Sequence, residues 1–276
     1  MIFLKMVELQ HKFNEETIPG YLEKNLNWNS AIIAKSGELL DSLGYKWWKK
    51  QEPDMDNVKV EAIDLLHFVI SESLQSFYDS PSSRDAFIER TINELLFSFT
   101  DEQSFKGYYN NSDIEKIVGD FVRDRPGEQR LYKLKLIFRK LEMSNEDVYI
   151  AYIVKNCLNK FRQDNGYKDG TYIKDWNGEE DNVVAYEIVK KLSVYENMFD
   201  KLYEQLTVYY NEEVILKEAS KECKHTNGSP SYEYWVCSDC GSIKTDSNNS
   251  WGIAKNKWFK NESEAKFYKN NGFLPK

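Results

Sequence analysis

The chain is short of arginine, proline, histidine and cysteine, and each shortage excludes something. Of its 37 basic residues seven are Arg (Arg84, Arg90, Arg123, Arg125, Arg130, Arg139 and Arg162), so a guanidinium is rare wherever it occurs. Six Pro in 276 residues, beside 14% aromatics, exclude a disordered chain, because large side chains are abundant enough to build a core. Four Cys are too few for a disulfide framework at this length. Positive charge is not in surplus either. A net charge of −8 argues against a general nucleic-acid binder, yet leaves room for a small phosphorylated ligand held by a few placed cations. No stretch approaches ~18 consecutive apolar residues, so no membrane span is expected. The apolar start, Met1–Val7, is too short for a secretory signal, and Glu8 follows at once. These features predict a cytoplasmic protein with neither a membrane nor a nucleic acid as partner.

What is present is helical periodicity. Residues 30–43 put Ile33, Gly37, Leu40 and Leu43 on one stripe, Gly44 closes that helix, and Tyr45–Lys50 (YKWWKK) follows as an aromatic turn. A second helix runs over 56–79 from an N-cap at Asp56, with Val58, Ala62, Leu65, Leu66 and Val69 facing a core. Helices are expected at Arg84–Phe99, Asp113–Val122, Leu131–Leu141 and Asn145–Asp164, the last capped near Ser144 and ended by Gly166. A Gly- and Asp-rich loop reaches Asn182, and helical spacing resumes through Tyr210. Residues 223–258 have no helical period. The reading is a helical domain over 1–216 and an extension over 217–276.

Two acidic pairs stand out. Glu38 and Asp41 lie three apart on one helix, Glu61 and Asp64 three apart on the next, and that spacing puts each pair on a single helix face. If the helices pack antiparallel the acids converge, and converging carboxylates need a cation. Oxygen ligands select a hard ion, magnesium or manganese. The alternative is that these are solvated surface acids.

The runs GELLDSLGYKWWK (37–49), NVKVEAIDLLHF (57–68) and KNCLNKFRQDNGYKDGTYIKDWNGEEDN (155–182), with LQHKFN (9–14), resemble the dimeric all-α deoxyuridine triphosphatases. These belong to the all-α nucleoside triphosphate pyrophosphatases, a group that includes phage dCTPase/dUTPase enzymes. The likeness covers roughly residues 7–210. It implies a mainly α, helical-bundle homodimer that converts dUTP to dUMP and pyrophosphate through a metal-activated water. It further implies that residues 81–130 form the variable, mobile part, and that a phage-encoded chain would work in the host cytoplasm. The family's metal motif, ExxE then ExxD, falls on Glu38, Glu61 and Asp64, with Glu38 orienting the water. The first acid is missing, for this chain has Lys35. That lysine neutralises the site and displaces one metal, or marks a dead enzyme, or is a deliberate inactivation.

Lys155, Asn159 and Arg162 lie at i, i+4 and i+7 on one helical stripe, with Tyr167 and Lys168 just beyond Gly166. A triphosphate of about four negative charges suits point cations plus one planar fork. The resemblance assigns phosphates to Lys155, Arg162 and Lys168, with Lys174 as an extra cation, and the sugar region to Asn159 and Tyr167. Gln10 and Asn14 offer both donors and acceptors to a pyrimidine. His67 and Phe68 follow Asp64, where an imidazole and a ring would flank the base. Trp47 and Trp48 are pocket wall or core. The substrate expected is dUTP, with dCTP and dUDP as alternatives; a binding protein without catalysis is the rival from another class.

In the extension, Cys223-x-His225, then eleven residues, then Cys237-x-x-Cys240-Gly241 supply four ligands for structural zinc. Such an ion would staple a segment too short for a large core. Cys157 reads as a packed thiol.

Overall fold

A computed structural model describes residues 2–100, 113–124, 127–192 and 197–215, and beyond these only the backbone of four short strands. The chain divides into two compact units, Met1–Gln163 and Asp164–Lys276.

In the first unit α1 (Ile2–Thr17) buries Met6, Val7, Leu9, Gln10 and Asn14. α2 (Trp28–Ser42) starts where Asn27 accepts a hydrogen bond from the Ser30 amide at 3.0 Å. Its inward stripe is Ile32, Ser36 and Leu39; the expected Ile33 stripe is turned outward, Ile33 being 46% exposed. α3 (Met55–Asp79) is the central helix, buried at nearly every position from Glu61 to Gln75, and α2 packs along it. Its N-cap is Asp54 rather than Asp56: the Asp54 carboxylate accepts from the Asn57 amide at 3.0 Å, which leaves Asp56 in the first turn. α4 (Phe87–Thr100), α5 (Ile114–Arg123) and α6 (Glu128–Lys140) complete the bundle around α3. Arg130, 1% exposed, grips both Glu72 oxygens (2.6 and 2.7 Å) and Asn29 (2.6 Å), tying α6 to α3 and α2.

α7 (Asn145–Asp164) begins in a capping box. Ser144 Oγ accepts from the Asp147 amide (3.1 Å), and the Asp147 carboxylate takes the Ser144 amide in return (2.8 Å). Beyond it Gly166 takes φ +91°, and a Cβ there would meet Thr171 Oγ1 at 2.0 Å, so a side chain does not fit. Cys157 is a buried free thiol.

In the second unit the expected loop contains a hairpin, β1 (Asp175–Trp176) with β2 (Glu179–Glu180), turned by Asn177 and Gly178 at positive φ. Trp176 is fully buried, stacks on Tyr209 and meets Tyr210 at a tilt. α8 (Asp181–Lys191) and α9 (Met198–Tyr209) follow. The extension forms a four-stranded antiparallel sheet in chain order: β3 (Gly228–Pro230), β4 (Tyr234–Cys237), β5 (Ile243–Thr245) and β6 (Trp258–Phe259). No helix among the described residues is long and apolar enough to cross a membrane.

Candidate active site

α2 and α3 bring Glu38, Glu61 and Asp64 together, and a lysine joins them. The Lys35 ammonium lies 2.7 Å from Glu38 Oε2, 3.1 Å from Glu61 Oε2 and 3.1 Å from Asp64 Oδ2. Burial works against the Lys35 charge, but Glu38, Asp64 and Glu61 outweigh it and hold its pKa above the ordinary lysine value. Burial lifts the Glu61 carboxyl, and Lys35 offsets that only in part. Asp64 goes the other way. Its burial is outweighed by Lys155 and Lys35, so its pKa is lowered. Lys155 of α7 reaches Asp64 Oδ1 at 3.1 Å, and both Asp64 oxygens are thus in ion pairs. Burial depresses the Lys155 pKa against the pull of Asp64.

Asp41 is not part of this cluster. It is exposed and held by Lys46, with Gln51 at 3.4 Å, and Lys46 lowers its pKa. Arg162 is buried two turns along α7 from Lys155, and Asn159, between them, is half-buried. Tyr167, Lys168 and Lys174 belong to the second unit, where Tyr167 is 51% exposed and Lys174 is 3.7 Å from Glu180. Trp47 and Trp48 are not core: they are 90% and 60% exposed. Phe68 is half-buried beside Trp28.

One turn past Asp64 lies a second buried polar group. Gln10 Nε2 donates to Asn14 Oδ1 (2.8 Å), and Asn14 Nδ2 donates to Ser71 Oγ (2.9 Å). Gln10 Oε1 is therefore an acceptor, and it faces His67 Nδ1 at 2.7 Å and the Tyr152 hydroxyl at 2.8 Å. That network puts the imidazole hydrogen on Nδ1 and the lone pair on Nε2. Nε2 is buried and has no protein hydrogen bond. The ring lies stacked on Tyr152, centroids 4.0 Å apart. Burial, aided by Lys155 and opposed by Asp64, pushes the His67 pKa down to about 3, so the ring is neutral at physiological pH.

Tyr152 and Ser71 were missed by sequence reasoning. Their signals are spacing alone: Tyr152 is three before Lys155, and Ser71 four after His67, each on the face of a recognised residue.

A family model described as dUTPase matches residues 2–167. The chain belongs to the dUTPase family. No curated protein matches it. The matched span contains both the acidic cluster and the buried His67 group, while Lys168, Lys174 and the extension lie beyond it. Among the described residues, no group of three or more His, Cys, Asp or Glu is placed to hold a metal ion. In this dUTPase-family chain the Lys35 ammonium sits among the three acids, where an ion would have to lie. Glu38 and Glu61 each accept a hydrogen bond from Lys35 through Oε2, and among the described residues neither Oε1 has a hydrogen bond. A magnesium ion that keeps most of its waters needs only one or two carboxylates, and Glu38 and Glu61 are the residues that would hold it. Cys223, His225 and Cys240 lie outside the described residues, as does the side chain of Cys237 at the end of β4.

Proposed function

We propose that this chain hydrolyses dUTP to dUMP and pyrophosphate, by attack of water on the α-phosphate. The observation that carries the reading is the pairing, along α3 of a dUTPase-family chain, of an acidic and cationic end (Glu61, Asp64) with a neutral base-reading end (His67, Ser71). Magnesium, when bound, would neutralise phosphate charge and sharpen the water as a nucleophile. Glu38, the most exposed of the three acids, orients that water and accepts its proton. Lys155 and Arg162 neutralise phosphates, with Lys168 and Lys174 as further cations; Asn159 and Tyr167 serve the sugar.

The tautomer of His67 supports uracil over cytosine. Its Nε2 is a lone-pair acceptor, and uracil N3 carries a hydrogen where cytosine N3 carries a second lone pair. A site built to hydrogen-bond one partner rejects the mismatched one strongly, because its own buried atom is then left unpaired. Gln10 and Asn14 hold the imidazole in that state, and Phe68 flanks the base.

Two assemblies belong to the proposal. A homodimer is supported by the outward apolar groups Ile33, Trp47 and Trp48 on and beside α2. Structural zinc on Cys223, His225, Cys237 and Cys240 is supported by the spacing of those four residues.

Pyrophosphate release, assayed on dUTP and the four ordinary deoxynucleoside triphosphates with and without magnesium, tests the reading. The expected result is turnover of dUTP at least ~tenfold above dCTP and the purine nucleotides, since one mismatched buried hydrogen bond is worth about 1–3 kcal/mol. Equal rates on dATP and dUTP would overturn it. The position of Lys35 favours a second reading, a nucleotide-binding protein without catalysis; it predicts dUTP binding with no pyrophosphate released.

A further inference from the structure

We infer that Lys35 is the resident cation of this site, so that a divalent ion enters only together with a nucleotide triphosphate. This deepens the reading above and rests on it for the identity of the nucleotide. The geometry is specific: one ammonium with three donors meets three carboxylates on two helices, each within 3.1 Å. With Lys155 on Asp64, three carboxylates face two ammoniums, a local balance of −1. Had position 35 been a glutamate, the same space would hold four carboxylates against Lys155 alone, a balance of −3, and only divalent ions would relieve it.

The exchange alters the order of binding. At a balance of −1 a lone dication gains little, because it must also approach the Lys35 ammonium. A triphosphate brings about four negative charges and its own magnesium, and it restores the need for positive charge. Glu38 and Glu61 would then supply carboxylate oxygens to that ion. Lys35 contributes no ligand; it donates to Glu38 and Glu61 and forms an ion pair with Asp64. It acts as a positioning residue, fixing the acids whether or not metal is present.

Manganese, read by the EPR signal of the free ion, tests this without turnover. The unaltered chain, Lys35→Glu and Lys35→Met are titrated alone and with dUTP carrying an imido bridge between the α- and β-phosphates. The unaltered chain alone should show no site tighter than ~1 mM, and with the analogue one ion per chain. Lys35→Glu alone should bind at least ~100-fold tighter than the unaltered chain, and Lys35→Met should fall between, its helical circular dichroism showing that it folds. If the unaltered chain alone binds manganese as tightly as Lys35→Glu, the inference is overturned. If equilibrium dialysis shows that the analogue does not bind, the nucleotide reading fails, while the titrations without nucleotide still judge Lys35. Release of the analogue with metal bound equally in its absence would also count against the inference.

Discussion

His67→Asn should abolish one defined part of the protein's sensitivity to acid. Asparagine keeps a donor close to the position of Nδ1, and so keeps the bond to Gln10 Oε1, but it has no proton to gain. In the folded chain the imidazole takes a proton only near pH 3, against 6.5 when unfolded. A depressed histidine pKa means the unfolded chain binds the proton first, so stability present above pH 6.5 is lost as pH falls toward 3. Between pH 8 and pH 5 that loss is about 2 kcal/mol, obtained from the two pKa values and ~1.36 kcal/mol per pH unit of proton uptake. Carboxylates whose pKa burial raises, Glu61 and Glu72, add to the response to acid, but they are common to both proteins. The informative quantity is therefore the difference of differences. Urea unfolding at pH 8 and pH 5, in EDTA, should show the unaltered chain losing about 2 kcal/mol more than His67→Asn. The variant will be less stable at pH 8, because the stack on Tyr152 is weakened, and that offset cancels in the comparison. Equal losses in the two proteins would show that His67 is not held neutral, and the tautomer argument for uracil would fall with it.

Two further predictions concern assembly. Protein purified without added zinc should contain about one zinc per chain, and Cys237→Ser should lose it; undiminished zinc in that variant refutes the ligand set. Light scattering should give twice the mass of 32.6 kDa, and Trp47→Glu with Ile33→Glu should halve it; a monomeric unaltered chain refutes the outward face as an interface.

Much of the helical bundle was legible because its periodicity is strong, and the ends of α7 were written in Ser144, Asp147 and Gly166. The inward face of α2 was not. Ile32–Ile33 and Leu39–Leu40 are adjacent pairs, so two stripes one residue apart compete, and the one that packs contains Ser36, whose hydroxyl is satisfied by the Ile32 carbonyl at 2.8 Å. A two-residue ambiguity displaced the N-cap of α3, since Asp54 and Asp56 are equally good acceptors on paper and only the amide of Asn57 chooses between them. Three-residue spacing put Glu61 and Asp64 on one face, but it also put Asp41 with Glu38, and Asp41 turns out to Lys46 instead. The seat of Lys35 among the acids, the reach of Lys155 from α7 and the Gln10–Tyr152 contact depend on how distant helices meet, and no local pattern encodes that. The β1–β2 hairpin had a local signal, Asn177-Gly178, inside a stretch otherwise read as loop.

α3 carries its functional groups as marks on a ruler. Glu61, Asp64, His67, Ser71 and Glu72 follow one another along a rigid rod that is enclosed over this length, and the first and fourth lie about 15 Å apart at 1.5 Å of rise per residue. Inserting or deleting one residue in this stretch would turn every later side chain by about 100° and take the imidazole away from Gln10, or Arg130's carboxylate partner away from Arg130. The interval between the acidic cluster and the buried His67 group is thus quantised in helical steps. Changes in chain length can be absorbed in the turns before Asp54 and after Asp79, but not between these marks, so the distance between the two groups is fixed by the bundle itself.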